Sequence, residues 1–314
     1  MVIQMTGNLQ SEIVKAFHRK DFDTPVVGIT GGKGGVGKTT VAVNIACALA
    51  DRGVRVALID ADVDAPDGAV LLSVELENPV EVDITVPQID AQRCNSCGDC
   101  VRACRFNALF MPRGGYPQLI GDCNGCEACF QVCDADAIIR GRKPVGMTYL
   151  SWIDGLTLYT GALIPGFEES SVVVQAVRER AFADAEQFDI ILVDTSPGAH
   201  CNVINALRGV DTVLAVTEPT PFGIHDLELI LKLLDLLELG GNVVLNRADL
   251  PGDRKKINAM ARQHNRKLVW EIGMDDLLVK SYAAGVPVVR EYPRAPSSKI
   301  FKRMAENMET VYGL

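Results

Sequence analysis

Short apolar runs alternate along this chain with longer segments whose apolar positions recur every three to four residues. The runs are VVGIT from Val26, VRVALID from Val54, DIILVD from Asp189, TVLAVT from Thr212, NVVLN from Asn242 and KLVWEI from Lys267. Strands that are apolar on both sides predict a mostly parallel sheet covered on both faces. The segments between them, such as 171–186 and 224–238, carry the helical period. The expected fold class is therefore α/β with a doubly wound sheet. Ahead of the first strand, Leu9, Ile13, Val14 and Phe17 predict a short amphipathic helix over 8–20, packed on the domain. At the other end, Ile300, Phe301, Met304 and Met308 share a helical face, while Glu306 and Glu309 interrupt its apolar character, so 299–314 reads as a packed terminal helix.

The rhythm breaks between Pro79 and Pro144, where cysteines, glycines and polar turn residues replace long apolar runs. The expected organisation is an N-terminal extension over 1–24, one domain over 25–78 and 145–314, and a small insertion over 79–144. Eight of the ten cysteines lie in that insertion. Cys94, Cys97, Cys100 and Cys104 follow C-x-x-C-x-x-C-x-x-x-C, and Cys123, Cys126, Cys129 and Cys133 repeat it 29 residues later. A stretch so poor in apolar residues cannot build an oily core, so thiolate-bound metal is expected to supply its folding energy.

VVGIT runs directly into GGKGGVGK and then into a helix beginning near Lys38, the context that makes a glycine pattern a phosphate-binding P-loop. Gly32, Gly34, Gly35 and Gly37 let backbone N–H groups turn inward around phosphate oxygens, and the helix N-terminus adds partial positive charge. Lys38 is placed for the terminal phosphates and the Thr39 hydroxyl for magnesium, with Thr40 as helix-face support. Asp60 and Asp194 end apolar strands, where a carboxylate costs desolvation energy unless it meets a cation or donors. The competing reading for either is a turn cap. Asp64 and Asp67 read as solvated turn residues.

A formal charge of -9 over 314 residues opposes binding to nucleic acid or anionic lipid. No run of roughly 18 apolar residues occurs, so stable membrane insertion is not expected. Ten cysteines without a secretory signal point to a reducing cytoplasm rather than a disulfide framework. Cys47, among Ile45, Ala46, Ala48 and Leu49, reads as core.

The pattern x-K-G-G-x-G-K-T resembles the deviant Walker A of the MinD, ParA and nitrogenase iron protein group, in which Lys33 would reach across a dimer to the partner's nucleotide. LIDADVDAPD at 58–67 resembles that group's switch I, DIILVDTSPG at 189–198 its Walker B strand and switch II, and VVLNR at 243–247 its base-recognition segment. The resemblance implies that Asp194 holds magnesium through water, Asp62 orients the attacking water with Asp60 assisting, Gly198 offers its N–H to the γ-phosphate, and Asn246 contacts adenine. Val36, Pro197 and Arg247 fall in the matched segments and join the implied ATP site.

The cysteine runs resemble bacterial ferredoxins, in which the fourth cysteine ligates the other cluster. By that resemblance one 4Fe-4S cluster would use Cys94, Cys97, Cys100 and Cys133, and the second Cys123, Cys126, Cys129 and Cys104. The usual proline after the fourth cysteine is replaced by Arg105 and Asp134. Zinc is the alternative metal. Cys201 lies seven residues after Asp194, near the offset of the nitrogenase iron protein's intersubunit ligand, and is read as a buried thiol, a transient ligand or half of a bridging site. His200 beside it reads as a turn residue.

As a whole the chain resembles MinD/Mrp-type P-loop ATPases carrying an inserted ferredoxin-like α+β domain. That resemblance implies ATP, Mg2+ and two 4Fe-4S clusters as cofactors, a homodimer or a heterodimer with a paralogue, and a redox or metallocofactor partner protein. Three functions follow from it: ATP-gated electron transfer, assembly or carriage of iron–sulfur centres, and MinD-like spatial regulation, which needs a membrane-seeking tail.

Overall fold

The structure, a computed structural model, describes residues 7–314, and side chains from Val14 onward together with Glu12. The chain opens with helix α1 (Gly7–His18), then β1 (Val26–Thr30), α2 (Lys38–Ala50), β2 (Val56–Ala61), α3 (Gly68–Leu71) and β3 (Val80–Ile89). The cysteine region holds α4 (Asp99–Ala103), β4 (Leu109–Phe110), β5 (Gln118–Leu119) and α5 (Ala128–Gln131). After it come β6 (Ile138–Ile153), β7 (Leu156–Leu163), α6 (Ser171–Ala183), β8 (Ile190–Thr195), α7 (Cys201–Ala206), β9 (Thr212–Thr217) and α8 (Pro221–Leu236). The chain closes with β10 (Gly241–Asn246), α9 (Arg254–Gln263), β11 (Leu268–Ile272), α10 (Asp276–Ala283), α11 (Val288–Glu291) and α12 (Pro296–Tyr312).

Nine strands form one sheet in the order β11-β10-β9-β1-β8-β2-β7-β6-β3. Its strands from β11 through β7 are parallel, and β6 and β3 are antiparallel additions at one edge. The uniformly apolar runs have a direct cause in the layering. Along β2, Val56 and Leu58 face a layer containing α2 and α12, whereas Ala57 and Ile59 face a layer containing α6, α7 and α8, and all four are buried. Phe301, Met304 and Met308 are buried against that first layer, as the pattern of 299–314 predicts. Val14 and Phe17 are buried, also as predicted, while Leu9 and Ile13 have side chains outside the described residues, as do residues 1–6 altogether.

The antiparallel edge is a half-buried ribbon. Val82, Ile84 and Val86 of β3 turn into the main core, and Pro87 sits where an edge strand tolerates the missing donor. β6 runs without interruption through Pro144, opposite a register shift at Val82/Asp83, and continues into the main sheet as far as Ile153. Residues 90–137 are looped out from the far end of this ribbon, where Ile89 pairs with Ile138. Inside that loop Cys100, Leu109 and Cys129 form a small buried cluster, and Ala108 and Ala137 are buried beside the cysteines. Among the described residues no helix is long and apolar enough to cross a membrane.

Candidate nucleotide site and cysteine pockets

The parallel strands deliver their C-terminal ends to one side of the sheet, and a cavity of about 410 Å³ opens there. Gly34, Gly35, Gly37, Lys38, Thr39, Thr40, Asp62, Pro197, Asn246 and Arg247 line it, all named by the sequence reading. Gly35 and Gly37 adopt φ of 74° and 99°, and a Cβ on Gly37 would lie 2.3 Å from Asn246 Nδ2, so the loop requires glycine there for conformation and for space. Lys38 is only 5% exposed. Burial pulls its ammonium below the ordinary value, while Asp194, Asp62 and Asp60 pull the other way.

The two strand-end aspartates have different fates. Asp60 and Asp194 are paired across β2 and β8, both almost fully buried. Asp60 accepts from the N–H of Gly68 (2.8 Å) and of Asp62 (3.2 Å), which caps α3 and fixes the turn carrying Asp62. It does not line the cavity, and it acts on the site by fixing that turn and by its charge on Lys38. Both oxygens of Asp194 are buried without a well-formed hydrogen bond, and the Thr39 hydroxyl is the donor nearest to acting on them. An orphaned carboxylate behind Lys38 and Thr39 suits a hydrated magnesium ion. Burial raises Asp60 and Asp194 above the ordinary carboxylate range and pushes Asp62 up to about 6.

These groups bind more protons in the folded chain than in the unfolded one between about pH 4 and their raised values. The contribution of these three groups to the stability of the metal-free protein is therefore expected to fall as pH rises from 4 through 6. Mg2+–nucleotide is expected to release protons on binding near pH 6, seen by titration calorimetry as a heat that depends on the buffer's ionisation enthalpy. A buffer-independent heat would exclude this ionisation.

Several implied contacts stand differently from the expectation. The Gly198 N–H donates to the Gly31 carbonyl (3.2 Å) rather than pointing to free space. The Asn246 amide donates to the Val36 carbonyl (2.8 Å), and its oxygen accepts from the Arg247 N–H (3.0 Å), so its first role is to tie the P-loop to β10. Gly32, Lys33 and Val36 lie off the cavity wall. Lys33 is paired with buried Glu218 (2.8 Å), which also holds Arg247 (3.0 Å) and accepts from Thr220 (2.9 Å). Burial by itself raises Glu218, and these three donors outweigh it and hold the carboxyl below its ordinary value.

Sequence reasoning missed one wall altogether. Gly273, Met274, Asp275, Leu278, Val279 and Tyr282 line the cavity, as does Asp67, which was expected to be merely solvated. The signal was present: ligands in doubly wound sheets bind beyond strand carboxyl ends, and KLVWEI ends directly before Gly273. Asp275 then caps α10 by accepting from the Leu277 N–H (3.0 Å).

In the cysteine region the eight thiols sort into two pockets, four by four. Cys94, Cys97, Cys100 and Cys133 line one, together with Ile89, Pro117 and Ile138. Cys104, Cys123, Cys126 and Cys129 line the other, together with Thr85, Pro87 and Phe106. Each pocket thus takes three cysteines from one copy of the motif and the fourth from the other copy. The two fourth cysteines are matched locally, since Cys104 Sγ accepts from the Ala108 N–H and Cys133 Sγ from the Ala137 N–H, both at 3.3 Å. Burial pushes the Cys129 thiol up to about 11 and raises Cys100 as well. Among the described residues no three His, Cys, Asp or Glu side chains converge closely enough to hold a single metal ion.

Of the remaining thiols, Cys47 is buried, and burial pushes it up to about 12. Cys201 is exposed at the first position of α7, which corrects the buried-thiol reading: helix α7 starts at the surface, with exposed His200 at its N-cap.

Fold and site together define a P-loop nucleotide-binding protein. The chain matches the CobQ/CobB/MinD/ParA nucleotide binding domain over residues 27–288 and belongs to that ATPase family. It is 34% identical over 224 residues to the uncharacterized protein MJ0579 of Methanocaldococcus jannaschii, covering 71% of this chain and 80% of that one. It is 23% identical over 325 residues to an iron-sulfur cluster carrier protein of the same organism, covering 98% of this chain and 91% of the relative. Among solved structures, the septum site-determining protein MinD of Pyrococcus horikoshii, complexed with Mg-ADP, aligns with a TM-score of 0.59 at 18% identity. That alignment covers 93% of this chain and 98% of MinD.

Proposed function

We propose that this protein couples an ATP-driven dimer switch to electron transfer through two 4Fe-4S clusters held in the two cysteine pockets. The observation that carries the reading is the four-by-four exchange of thiols between the motifs, the partition that ferredoxin-like ligation requires. Cys94, Cys97, Cys100 and Cys133 would hold one cluster and Cys104, Cys123, Cys126 and Cys129 the other. When bound, such clusters supply one-electron carriers whose potential is set in part by N–H···S hydrogen bonds, here from Ala108 and Ala137. A zinc site, with Zn–S of about 2.3 Å, draws its thiolates to within roughly 4 Å of one another. Each pocket takes a third cysteine at the same tight C-x-x-C spacing, which a tetrahedral zinc site does not need.

The nucleotide half rests on the chain's own residues. Lys38 and the P-loop N–H groups bind the phosphates, Thr39 and Asp194 hold the magnesium site, and Asp62 orients water with Asp60 behind it. Lys33 is the residue that would cross to a partner's nucleotide, and Glu218 holds it within its own chain. Glu218→Gln is expected to free Lys33 and to tighten ATP-dependent self-association about 2–5-fold, the scale of a half-exposed ion pair worth up to about 1 kcal/mol. Sedimentation at several protein concentrations measures it, and weaker association in the variant contradicts the assignment.

The test of the main reading is anaerobic reduction of the purified protein, followed by measurement of its spectrum, potential and oxidation rate with and without Mg-ATP. A nucleotide-dependent change is expected, and no change in any of the three rules out electron gating. A second reading, an iron–sulfur scaffold or carrier, is favoured by relatives named iron-sulfur cluster carrier protein and by the exposure of Cys201. Transfer of iron and sulfide to an apo-protein, blocked by Cys201→Ala, would establish that reading instead.

A further inference from the structure

We infer that the two cysteine pockets differ in their connection to the nucleotide: the pocket of Cys104, Cys123, Cys126 and Cys129 is the coupled one, and the segment after Asp62 is what moves it. The inference deepens the function proposed above and rests on it for nucleotide binding. Strand register sets the geometry. Gly146 of β6 pairs with Leu163, the last residue of β7, so Ile138–Pro144 run beyond the carboxyl end of the parallel sheet. Seven residues at about 3.3 Å each give a rise of roughly 20 Å. The lobe therefore stands on the same side as the P-loop and Asp62, and within the sheet β7 lies between β2 and the ribbon.

Two backbone hydrogen bonds join that side to the ribbon. The Leu163 N–H donates to the Val63 carbonyl (2.9 Å), one residue after Asp62, and the Ile164 N–H donates to the Val145 carbonyl (2.9 Å) at the base of the ribbon. No slack separates them. Val63 and Val145 are buried, and a Cβ on Gly161 would meet Val63 Cγ1 at 2.7 Å. A displacement of Asp62 and Val63 when phosphate and magnesium arrive is thus passed to Val145 through close-packed backbone, which shifts rather than compresses.

From Val145 the ribbon reaches the two pockets unequally. Thr85 and Pro87 of β3 line the pocket of Cys104 and Cys123, and Cys123 packs against the main core. Gly125, at φ 75°, fits against Ile84 so closely that a Cβ would lie 3.0 Å from Ile84 Cβ. The other pocket meets the ribbon only at its tip, through Ile89 and Ile138.

Ala108 and Ala137 are matched reporters, one amide per pocket, each donating to a cysteine sulfur. Hydrogen exchange followed by mass spectrometry on the full chain, isolated without oxygen, compares them with and without Mg2+ and a non-hydrolysable ATP analogue. Exchange at Ala108 is expected to change at least threefold while exchange at Ala137 stays within experimental error. Equal responses, or none at Ala108, overturn the inference. Ile164→Pro removes the N–H that bonds Val145, at a side chain already 38% exposed, and suits the extended residue before it. The variant is expected to bind nucleotide and to lose the Ala108 response, and a response that survives overturns the route. If the variant misfolds, the Ala108–Ala137 contrast in the unaltered protein decides alone. A chain that binds no nucleotide sinks both proposals, whereas an Ala108 response in a protein devoid of iron sinks only the redox reading.

Discussion

Lys38→Met is expected to lower ATP hydrolysis by about 10²–10³-fold, the usual cost of deleting one preorganised group that meets developing charge. The size follows from burial. The ammonium is nearly solvent-free and faces Asp194, Asp62 and Asp60. Its loss also leaves three carboxylates around the site without their counter-charge. They are expected to hold protons more tightly, which weakens the magnesium site together with the phosphate contact. Steady-state phosphate release measures the effect, and activity within tenfold of the unaltered protein would remove Lys38 from its assigned role.

The second large effect belongs to the cysteine pockets. Cys126 is exposed and Cys129 is buried in a small cluster with Cys100 and Leu109, yet both line the same pocket. Either serine substitution is expected to remove about half of the chain's iron and acid-labile sulfide, because each pocket holds its own cluster. The two should differ in stability. Both should open residues 90–137 to limited proteolysis, because each loses bound metal that the lobe needs to fold, and Cys129→Ser should do so at lower temperature, because it also places a hydroxyl among apolar neighbours. ATP hydrolysis is expected to stay within about twofold in both, since neither residue approaches the nucleotide cavity. Unchanged iron in Cys126→Ser would contradict the pocket assignment.

The parallel sheet was legible because its strands are buried on both faces, so VVGIT and its counterparts read as continuous apolar runs. The edge was not. The long β6 carries glycines, a threonine and charged residues on a half-solvated antiparallel ribbon whose register shifts at Val145, and Leu156–Leu163, though mostly buried, breaks its apolar run with two threonines and a glycine. Half of the nucleotide site was written in glycines and lysines whose spacing has one physical use. The wall of Met274, Val279 and Tyr282 carries no such pattern, because apolar side chains that line a cavity look like any helix face until topology places β11 beside β10. Asp60 illustrates the opposite case. Its position at a strand end left a cation, donors or a turn cap open, and the backbone N–H groups of Asp62 and Gly68 are the donors its oxygens engage.

The most direct measurement is metal analysis of the oxygen-free preparation: iron and acid-labile sulfide per chain, with zinc determined on the same sample. Two occupied pockets predict about eight iron and eight sulfide per chain and negligible zinc. One or two zinc ions per chain with no sulfide would contradict the account and leave a nucleotide switch with a zinc-bound lobe.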